Sequence, residues 1–182
     1  MIRHVPNLLS ALRLLAAPLA AWLIYSAHDT AALLVFTAAG ASDGLDGFVA
    51  RRWGATSNFG AWLDPAADKF LMLLCLAALW TIGVTPPWLL ALVASRDLII
   101  AAGWAMIKFL GLQTATSPLF LGKLSTMAQV LYIFAALLLL AFDLDAPRLM
   151  LAAAWICAGF TLLSAIAYAG LLLRAAGRHA AQ

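Results

Sequence analysis

Four aspartates that lie close together are the residues of this chain best suited to do chemistry. Asp43, Asp46, Asp64 and Asp68 fall in the stretch SDGLDGFVARRWGATSNFGAWLDPAADK, residues 42–69. They are half of the eight acidic residues of a chain that is 65% hydrophobic. On insertion scales, an aspartate at the centre of a membrane-spanning helix costs about 2.5 to 3.5 kcal/mol. Four of them in apolar surroundings therefore need a partner that offsets their charge.

Helical spacing arranges the aspartates in two pairs. With about 100° per residue, Asp43 and Asp46 lie about 60° apart on one helix face, and Asp64 and Asp68 follow each other at i and i+4. The connection between the two helices is short, which predicts antiparallel neighbours whose aspartate pairs converge. Small residues on or beside these faces allow a close approach of the backbones: Gly44, Gly47, Ala50, Gly60 and Ala61.

The converging carboxylates predict a site for hard divalent cations. Arg51 and Lys69 can offset part of the negative charge, but two cations cannot neutralise four anions. A set of carboxylates without His or Cys suits Mg²⁺, Mn²⁺ or Ca²⁺. Four carboxylates could hold two such ions ~3.5–4 Å apart, which is the arrangement that serves in-line displacement at phosphorus. A structural ion-pair cluster and a proton relay are the alternatives that spacing alone leaves open.

The composition predicts that these helices belong to a membrane protein. Only 10% of the 182 residues are charged and the mean hydropathy is +0.99, whereas roughly a quarter of the residues of a soluble domain are charged. Six apolar segments, each near or above the ~20 residues that cross a bilayer, cover residues 7–27, 30–52, 60–83, 87–111, 118–142 and 147–175. We therefore predict an all-α integral membrane protein, a six-transmembrane-helix bundle with a single domain over residues 1–182.

The distribution of charge predicts the orientation of this bundle. Basic residues cluster at the N-terminus and after the second, fourth and sixth segments, whereas the opposite loops carry Asp29, Asp143 and Asp145. By the positive-inside rule both termini are cytoplasmic, and the aspartate stretch lies at the cytoplasmic face of the inner membrane. The net charge of +3 accompanies no long basic run with interleaved aromatic residues, so nucleic acid is not an expected partner.

The aspartate stretch resembles the motif of the CDP-alcohol phosphatidyltransferase family, D-x-x-D-G-x-x-A-R-x8-G-x3-D-x3-D. The chain matches every fixed position of this motif: Asp43, Asp46, Gly47, Ala50, Arg51, Gly60, Asp64 and Asp68. The segments PNLLSALR (6–13), SRD (95–97) and GKLSTMAQ (122–129) are similar to further family features. The resemblance therefore covers most of the chain, and the count of six spans agrees with it.

The resemblance implies a transfer reaction of phospholipid biosynthesis. A hydroxyl acceptor would attack the phosphorus that carries the lipid of CDP-diacylglycerol, and CMP would leave. Asp43, Asp46 and Asp64 would then be metal ligands, whereas Asp68 would complete the metal site and act as the general base. The cofactors would be two divalent ions, Mg²⁺ or Mn²⁺. The family also suggests a homodimer in the membrane lipids, although no stretch of this chain marks a dimer face.

The same resemblance assigns residues to the CDP end of the donor. The nucleotide pocket would be shaped by Gly47, Ala50, Arg51 and Gly60. Glycine permits a close approach of the backbone, and the arginine suits a forked contact to the diphosphate. Asn7 is either a helix cap or a contact to the cytidine.

Weaker sequence signals indicate which alcohol is the acceptor. Synthases that use glycerol-3-phosphate typically carry Arg-Glu in the fourth span and a second arginine eight residues further on. Here the pair is Arg96–Asp97, and Trp104 stands at the later position. A missing arginine weakens a clamp for a doubly charged phosphate monoester. The segment SRDLIIAAG is also more similar to CMP-forming cardiolipin synthases, so we favour phosphatidylglycerol as the acceptor, with glycerol-3-phosphate as the alternative.

Two cations within the apolar segments are candidates for binding the acceptor or donor phosphate, Arg96 and Lys123. For Arg96 the structural alternative is an ion pair with Asp97 or with one of the four aspartates. For Lys123 the alternative is snorkelling to the cytoplasmic surface.

A small transporter that uses paired aspartates as a cation or proton relay is the rival from another class. It would explain the costly carboxylates but not the glycine, alanine and arginine at fixed offsets from them. An intramembrane prenyltransferase is a weaker rival because such proteins are longer and have more spans.

Overall fold

A computed structural model describes the backbone of residues 5–53, 60–109 and 120–180, and the side chains of 12–42, 66–106, 109 and 120–171. Within these ranges the chain is almost entirely helical and contains no strand. The six helices are α1 Val5–Tyr25, α2 Asp29–Trp53, α3 Gly60–Thr81, α4 Pro87–Phe109, α5 Phe120–Ala141 and α6 Pro147–Ala180. Each predicted apolar segment therefore coincides with one helix.

Helices α1, α3 and α5 end in the same way. The second residue after each of them adopts a left-handed conformation, with φ of 55° at Ala27, 82° at Gly83 and 52° at Asp143. The next amide then donates to the carbonyl five residues earlier, at 2.9 Å, 2.9 Å and 2.8 Å respectively. This Schellman pattern satisfies carbonyls that the end of a helix leaves without partners. Each of these helices can therefore end only a few residues before the following helix begins.

The following helices begin at residues suited to a first turn. Proline stands at the first position of α4 and α6, Pro87 and Pro147, where its missing N–H costs no hydrogen bond. Asp29 begins α2, and its carboxylate is favourable beside the positive end of the helix dipole. These starts and the preceding turns keep the connections short, at residues 26–28, 82–86 and 142–146.

Three helices within the described residues are long and apolar enough to cross a membrane, by length and composition. These stretches are Pro87–Met106, Phe120–Ala141 and Pro147–Leu171, in α4, α5 and α6. Large apolar side chains are exposed along them, among them Leu98 at 71% and Ile166 at 69%, as expected for a surface that faces lipid. Shorter apolar stretches lie at Leu12–Tyr25 and Asp29–Ser42. The remaining spans and the sides of the two termini stay predictions.

The structure divides into two compact units. The first contains Met1–Thr85 with Ile133–Met150, and the second contains Pro86–Tyr132 with Leu151–Gln182. In the first unit α1 packs against both α2 and α3. Its core is formed by small and aliphatic side chains, including Ala17, Ala20, Ile24, Ala32, Leu71 and Leu76, together with Phe36. In the second unit, polar residues are buried among the apolar ones: Arg96, Ser125, Gln129, Thr161 and Ser164.

Candidate functional site

The aspartates of the family motif lie on two helices that share one neighbour. Asp43 and Asp46 belong to α2, Asp64 and Asp68 belong to α3, and α1 packs against both helices. The side chain of Asp68 is partly buried. The side chains of Asp43, Asp46 and Asp64 lie outside the described residues. The same holds for the predicted donor-binding positions Asn7, Gly47, Ala50, Arg51 and Gly60. Their convergence therefore stays a prediction.

The buried positions of α2 support the predicted register. Ala32, Phe36 and Ala39 are buried at i, i+4 and i+7 of this helix. Helical periodicity applied to the sequence predicts that the same line continues through Asp43 and Asp46. The aspartates of the motif would then follow the core-facing side of α2.

The third helix has a similar line of buried residues. Met72, Leu76 and Leu79 are buried on α3, and Asp68 lies one turn before Met72. Asp64 lies one turn earlier still, so periodicity predicts that it belongs to the same line. Among the described side chains there is no group of three His, Cys, Asp or Glu residues that could hold a metal ion.

The first helix contributes a buried cation to the same unit. Arg13 is only 2% exposed although it lies in a chain segment of apolar residues. It begins a buried line on α1 that continues through Ala17, Ala20 and Ile24. Because α1 packs on both aspartate helices, this charge belongs to the unit that carries the predicted metal site.

The second unit contains a buried polar cluster around Arg96 of α4. Nη1 of Arg96 donates to Oδ1 of Asp97 at 2.6 Å, and Nη2 donates to Oγ of Ser164 at 2.6 Å. The guanidinium carbon lies 5.7 Å from the centre of the Tyr168 ring, within the range of a cation–π contact. The side chains of Arg96 and Asp97 are 5% and 12% exposed. The pair with Asp97 is thus formed, as one of the two alternatives for Arg96 predicts.

Glycine at position 122 allows α5 to approach this cluster. A Cβ built on Gly122 would lie 3.1 Å from Oη and 3.2 Å from Cε2 of Tyr168, and 3.5 Å from Nη2 of Arg96. The first two distances are tighter than ordinary van der Waals contacts, so a larger residue would displace the tyrosine ring. Lys123, the next residue, is exposed. Its snorkelling and its contact to a substrate phosphate both stay predictions.

A second buried polar line joins α5 to α6 beside this cluster. Oγ of Ser125 lies 3.3 Å from Oγ1 of Thr161, and Nε2 of Gln129 donates to Ser125 at 3.3 Å. Oγ1 of Thr161 also donates to the carbonyl of Cys157 at 2.8 Å. Oε1 of Gln129 is buried and has no hydrogen-bond partner among the described residues. In a membrane, bonds of this kind link helices that have little hydrophobic reason to associate.

The sequence predictions did not include the residues of α6. Thr161, Ser164 and Tyr168 are spaced at i, i+3 and i+7 in a long apolar segment, and this places them on one helix face. Polar residues that repeat at helical spacing within a span are the signal that could have identified them. Their partner, Arg96, lies 68 positions away in the chain from Ser164, so the pairing itself could not be read from local pattern.

The fold is helical, with helices suited to a membrane, and the aspartates of the motif belong to two helices that both pack on α1. The chain belongs to the CDP-alcohol phosphatidyltransferase family, because the sequence profile of that family matches residues 3–167. The match covers α1 to α5 and most of α6. Family membership and the three apolar helices together indicate a membrane protein.

Individual relatives carry two different names. A rice protein (Oryza sativa subsp. japonica) named CDP-diacylglycerol–glycerol-3-phosphate 3-phosphatidyltransferase 1, chloroplastic, is 32% identical over 91% of this chain and 56% of its own. A rat protein (Rattus norvegicus) named cardiolipin synthase (CMP-forming) is 34% identical over 86% of this chain and 57% of its own. An Escherichia coli protein named CDP-diacylglycerol–glycerol-3-phosphate 3-phosphatidyltransferase is 31% identical over 70% of this chain and 72% of its own.

The extent of these matches differs. The chain spans little more than half the length of the rice and rat relatives. The relatives include both a cardiolipin synthase and glycerol-3-phosphate 3-phosphatidyltransferases, so similarity alone does not choose between the two candidate acceptors.

Proposed function

We propose that the protein transfers a phosphatidyl group from CDP-diacylglycerol to an alcohol and releases CMP. The observation that carries this proposal is the match to the family over residues 3–167, a range that contains all eight fixed residues of the aspartate motif. In the reaction the acceptor oxygen forms a bond to the phosphorus that carries the lipid. The bond from that phosphorus to the bridging oxygen of the diphosphate breaks, and the electron pair leaves with CMP. The acceptor proton passes to a base of the protein.

Asp68 is the residue that we assign as this base. It lies on α3 at a partly buried position. A carboxylate there is partly shielded from bulk water and can accept a proton from a bound acceptor. A general base must lie within hydrogen-bond reach of the proton that it takes. Asp68 occupies the last fixed position of the motif, one turn from Asp64.

The four aspartates of the motif, Asp68 included, fit a divalent metal site by their chemistry. All four donors are carboxylates, which is the ligand type that Mg²⁺ and Mn²⁺ prefer, and they lie on two helices that both pack on α1. Asp43, Asp46, Asp64 and Asp68 would hold the metal, which would supply stabilisation of the charge that develops on the phosphoryl oxygens. Gly47, Ala50, Arg51, Gly60 and Asn7 would hold the CDP part of the donor.

Phosphatidylglycerol is the acceptor that we propose, with glycerol-3-phosphate as the alternative. The guanidinium of Arg96 is already paired with the carboxylate of Asp97. The pair therefore offers no net positive charge to a dianionic acceptor such as glycerol-3-phosphate. Trp104, at the position of the expected second arginine, is 43% exposed and adds no charge. A phosphodiester with a single negative charge requires less compensation than a phosphate monoester does.

The test is a CMP-release assay on the purified full chain with CDP-diacylglycerol and Mg²⁺ or Mn²⁺. Phosphatidylglycerol and glycerol-3-phosphate are offered in separate reactions, and a reaction without acceptor is the control. We expect CMP release that depends on phosphatidylglycerol and stops on addition of EDTA. Release that depends only on glycerol-3-phosphate would overturn the acceptor assignment. No release with any acceptor, together with proton or cation flux in vesicles, would favour the transporter and overturn the proposal as a whole.

A further inference from the structure

The guanidinium of Arg96 is held on two edges by residues of two helices. Asp97 of α4 accepts from Nη1, and Ser164 of α6 accepts from Nη2, each at 2.6 Å. An arginine side chain has many rotamers, and ordering it costs up to roughly 2 kcal/mol of conformational entropy. One anchor would leave the plane of the group free to turn about that contact. Two anchors on different nitrogen atoms fix the plane.

The ring of Tyr168 covers one face of the same group. The distance of 5.7 Å from the guanidinium carbon to the ring centre places an aromatic face against the cation. Ser164 and Tyr168 lie one turn apart on α6, at i and i+4. One face of this helix therefore supplies both a hydrogen-bond acceptor in the plane of the guanidinium and a cover above it.

One of the three guanidinium nitrogens of Arg96 is not used by these two hydrogen bonds. Nε is buried and has no hydrogen-bond partner among the described residues. A buried donor without a partner costs roughly 1 to 3 kcal/mol, so a ligand oxygen that reaches it gains a bond that the free protein lacks. The held guanidinium is thus prepared to bind an oxygen of an anionic or hydroxylated head group.

Gly122 of α5 makes room for this geometry. A side chain there would press on Oη and Cε2 of Tyr168 at 3.1 Å and 3.2 Å. The absence of a side chain lets the tyrosine ring lie over Arg96. Residues of α4, α5 and α6 thus determine together where the guanidinium points.

We propose that Ser164 and Tyr168 are positioning residues that orient Arg96 toward the phosphate and glycerol oxygens of the acceptor. This inference rests on the proposed function, and it adds that acceptor affinity is set from α6, by residues outside the aspartate motif. Ser164 and Tyr168 act through Arg96 and do not touch the reacting atoms. Their effect is therefore confined to the acceptor, whereas a merely structural role would change the use of donor and acceptor alike.

The experiment compares matched variants of the full chain in detergent micelles. Ser164→Ala removes the acceptor of the Nη2 bond, whereas Ser164→Thr keeps a hydroxyl at this position. Tyr168→Leu removes the ring, and Tyr168→Phe keeps it. Thr81→Ala and Tyr25→Leu are the controls, because the Thr81 hydroxyl bonds within its own helix at 2.7 Å and Tyr25 is 71% exposed.

Two readouts separate this inference from the proposed function. The first is the KM for each substrate in the CMP-release assay. The second is the Kd for short-chain phosphatidylglycerol, measured calorimetrically without turnover. For Ser164→Ala we expect both the acceptor KM and the Kd to rise roughly tenfold, while the donor KM stays within about twofold. Ser164→Thr keeps the acceptor KM and the Kd near those of the parent. Tyr168→Leu weakens acceptor binding more than Tyr168→Phe does.

A double mutant tests whether Ser164 acts through Arg96. In an Arg96→Lys background, Ser164→Ala is expected to change the Kd by less than about twofold, because the bond that it removes is already lost. Full tenfold effects in that background would overturn the inference, and so would equal effects on donor and acceptor or a parent that binds no phosphatidylglycerol. A parent that binds the acceptor tightly but releases no CMP would contradict the proposed function alone.

Discussion

Arg96 and Asp97 are neighbours in the chain, and their side chains form an ion pair of 2.6 Å that is almost entirely buried. Adjacent residues on a helix do not normally face each other, and here the length of the arginine side chain allows the two charges to meet. Removing one partner of a buried pair leaves a charge in apolar surroundings. The pair therefore matters for folding independently of any role in binding.

Asp97→Ala is expected to lower the free energy of unfolding by about 3 kcal/mol, because it leaves the Arg96 cation buried without its carboxylate. Reversible unfolding by dodecyl sulfate in mixed micelles measures this change. The double variant Arg96→Met with Asp97→Leu should cost less than the single change, since no charge is then stranded. Asp145→Ala, at an exposed loop position, is the control with little expected effect. Equal losses for the single and double variants would contradict a buried pair.

Substitution of Gly122 of α5 and of Gly159 of α6 by alanine is expected to have opposite effects. A Cβ at position 122 would meet Tyr168 at 3.1 Å, whereas no atom of the described residues lies within 4 Å of a Cβ at Gly159. Gly122→Ala should therefore weaken phosphatidylglycerol binding, and Gly159→Ala should stabilise α6 by about 0.5 to 1 kcal/mol. Calorimetric binding and detergent unfolding measure the two effects. Unchanged binding in Gly122→Ala would mean that the tyrosine ring can move at no cost to the site.

Much of the fold follows from local sequence signals. Apolar segments of about twenty residues predict all six helices, and prolines at positions 87 and 147 mark the start of two of them. The ends of α1 and α5 were harder to predict because Ala27 and Asp143, not glycine, adopt the left-handed conformation there. The tight turn is imposed at these positions by the hydrogen bonds of the helix end, which outweigh the local preference.

The candidate site was predictable only in part. The aspartate motif is continuous in sequence, and therefore its helices, α2 and α3, could be named. The contact of Arg96 with Ser164 joins residues 68 positions apart, and it depends on how α4 and α6 pack. Helical spacing of Thr161, Ser164 and Tyr168 identifies a polar face on α6, but it does not identify the partner of that face.

The buried bond between Ser125 and Thr161 predicts a modest stabilisation between α5 and α6. Thr161→Val removes the hydroxyl that lies 3.3 Å from Ser125 and 2.8 Å from the carbonyl of Cys157. We expect a loss of about 0.6 kcal/mol, and at most about 1.7 kcal/mol, in the free energy of unfolding. Thr81→Val is the matched control because its hydroxyl donates to the carbonyl of Ala78 within α3. A loss no larger than that of the control would contradict an interhelical bond.

Asp68→Asn tests the assignment of the general base. The amide keeps the shape of the side chain but cannot take a proton, so turnover should fall by about 10²- to 10⁴-fold. Binding of CDP-diacylglycerol should change little, because the donor is held by other residues of the motif. CMP release and donor binding are measured on the same preparation, with Asp29→Asn at the far end of α2 as the control. Near-normal turnover would show that another group accepts the proton.

The position of the bond that is cleaved in CDP-diacylglycerol tests the proposed reaction most directly. CDP-diacylglycerol labelled with ³²P in the phosphate next to the lipid is incubated with the protein, Mg²⁺ and phosphatidylglycerol, and the products are separated. Phosphatidyl transfer predicts that the label moves into a new lipid product, only when acceptor is present, while the released CMP is unlabelled. Label in the released nucleotide, or in phosphatidic acid formed without acceptor, would contradict it.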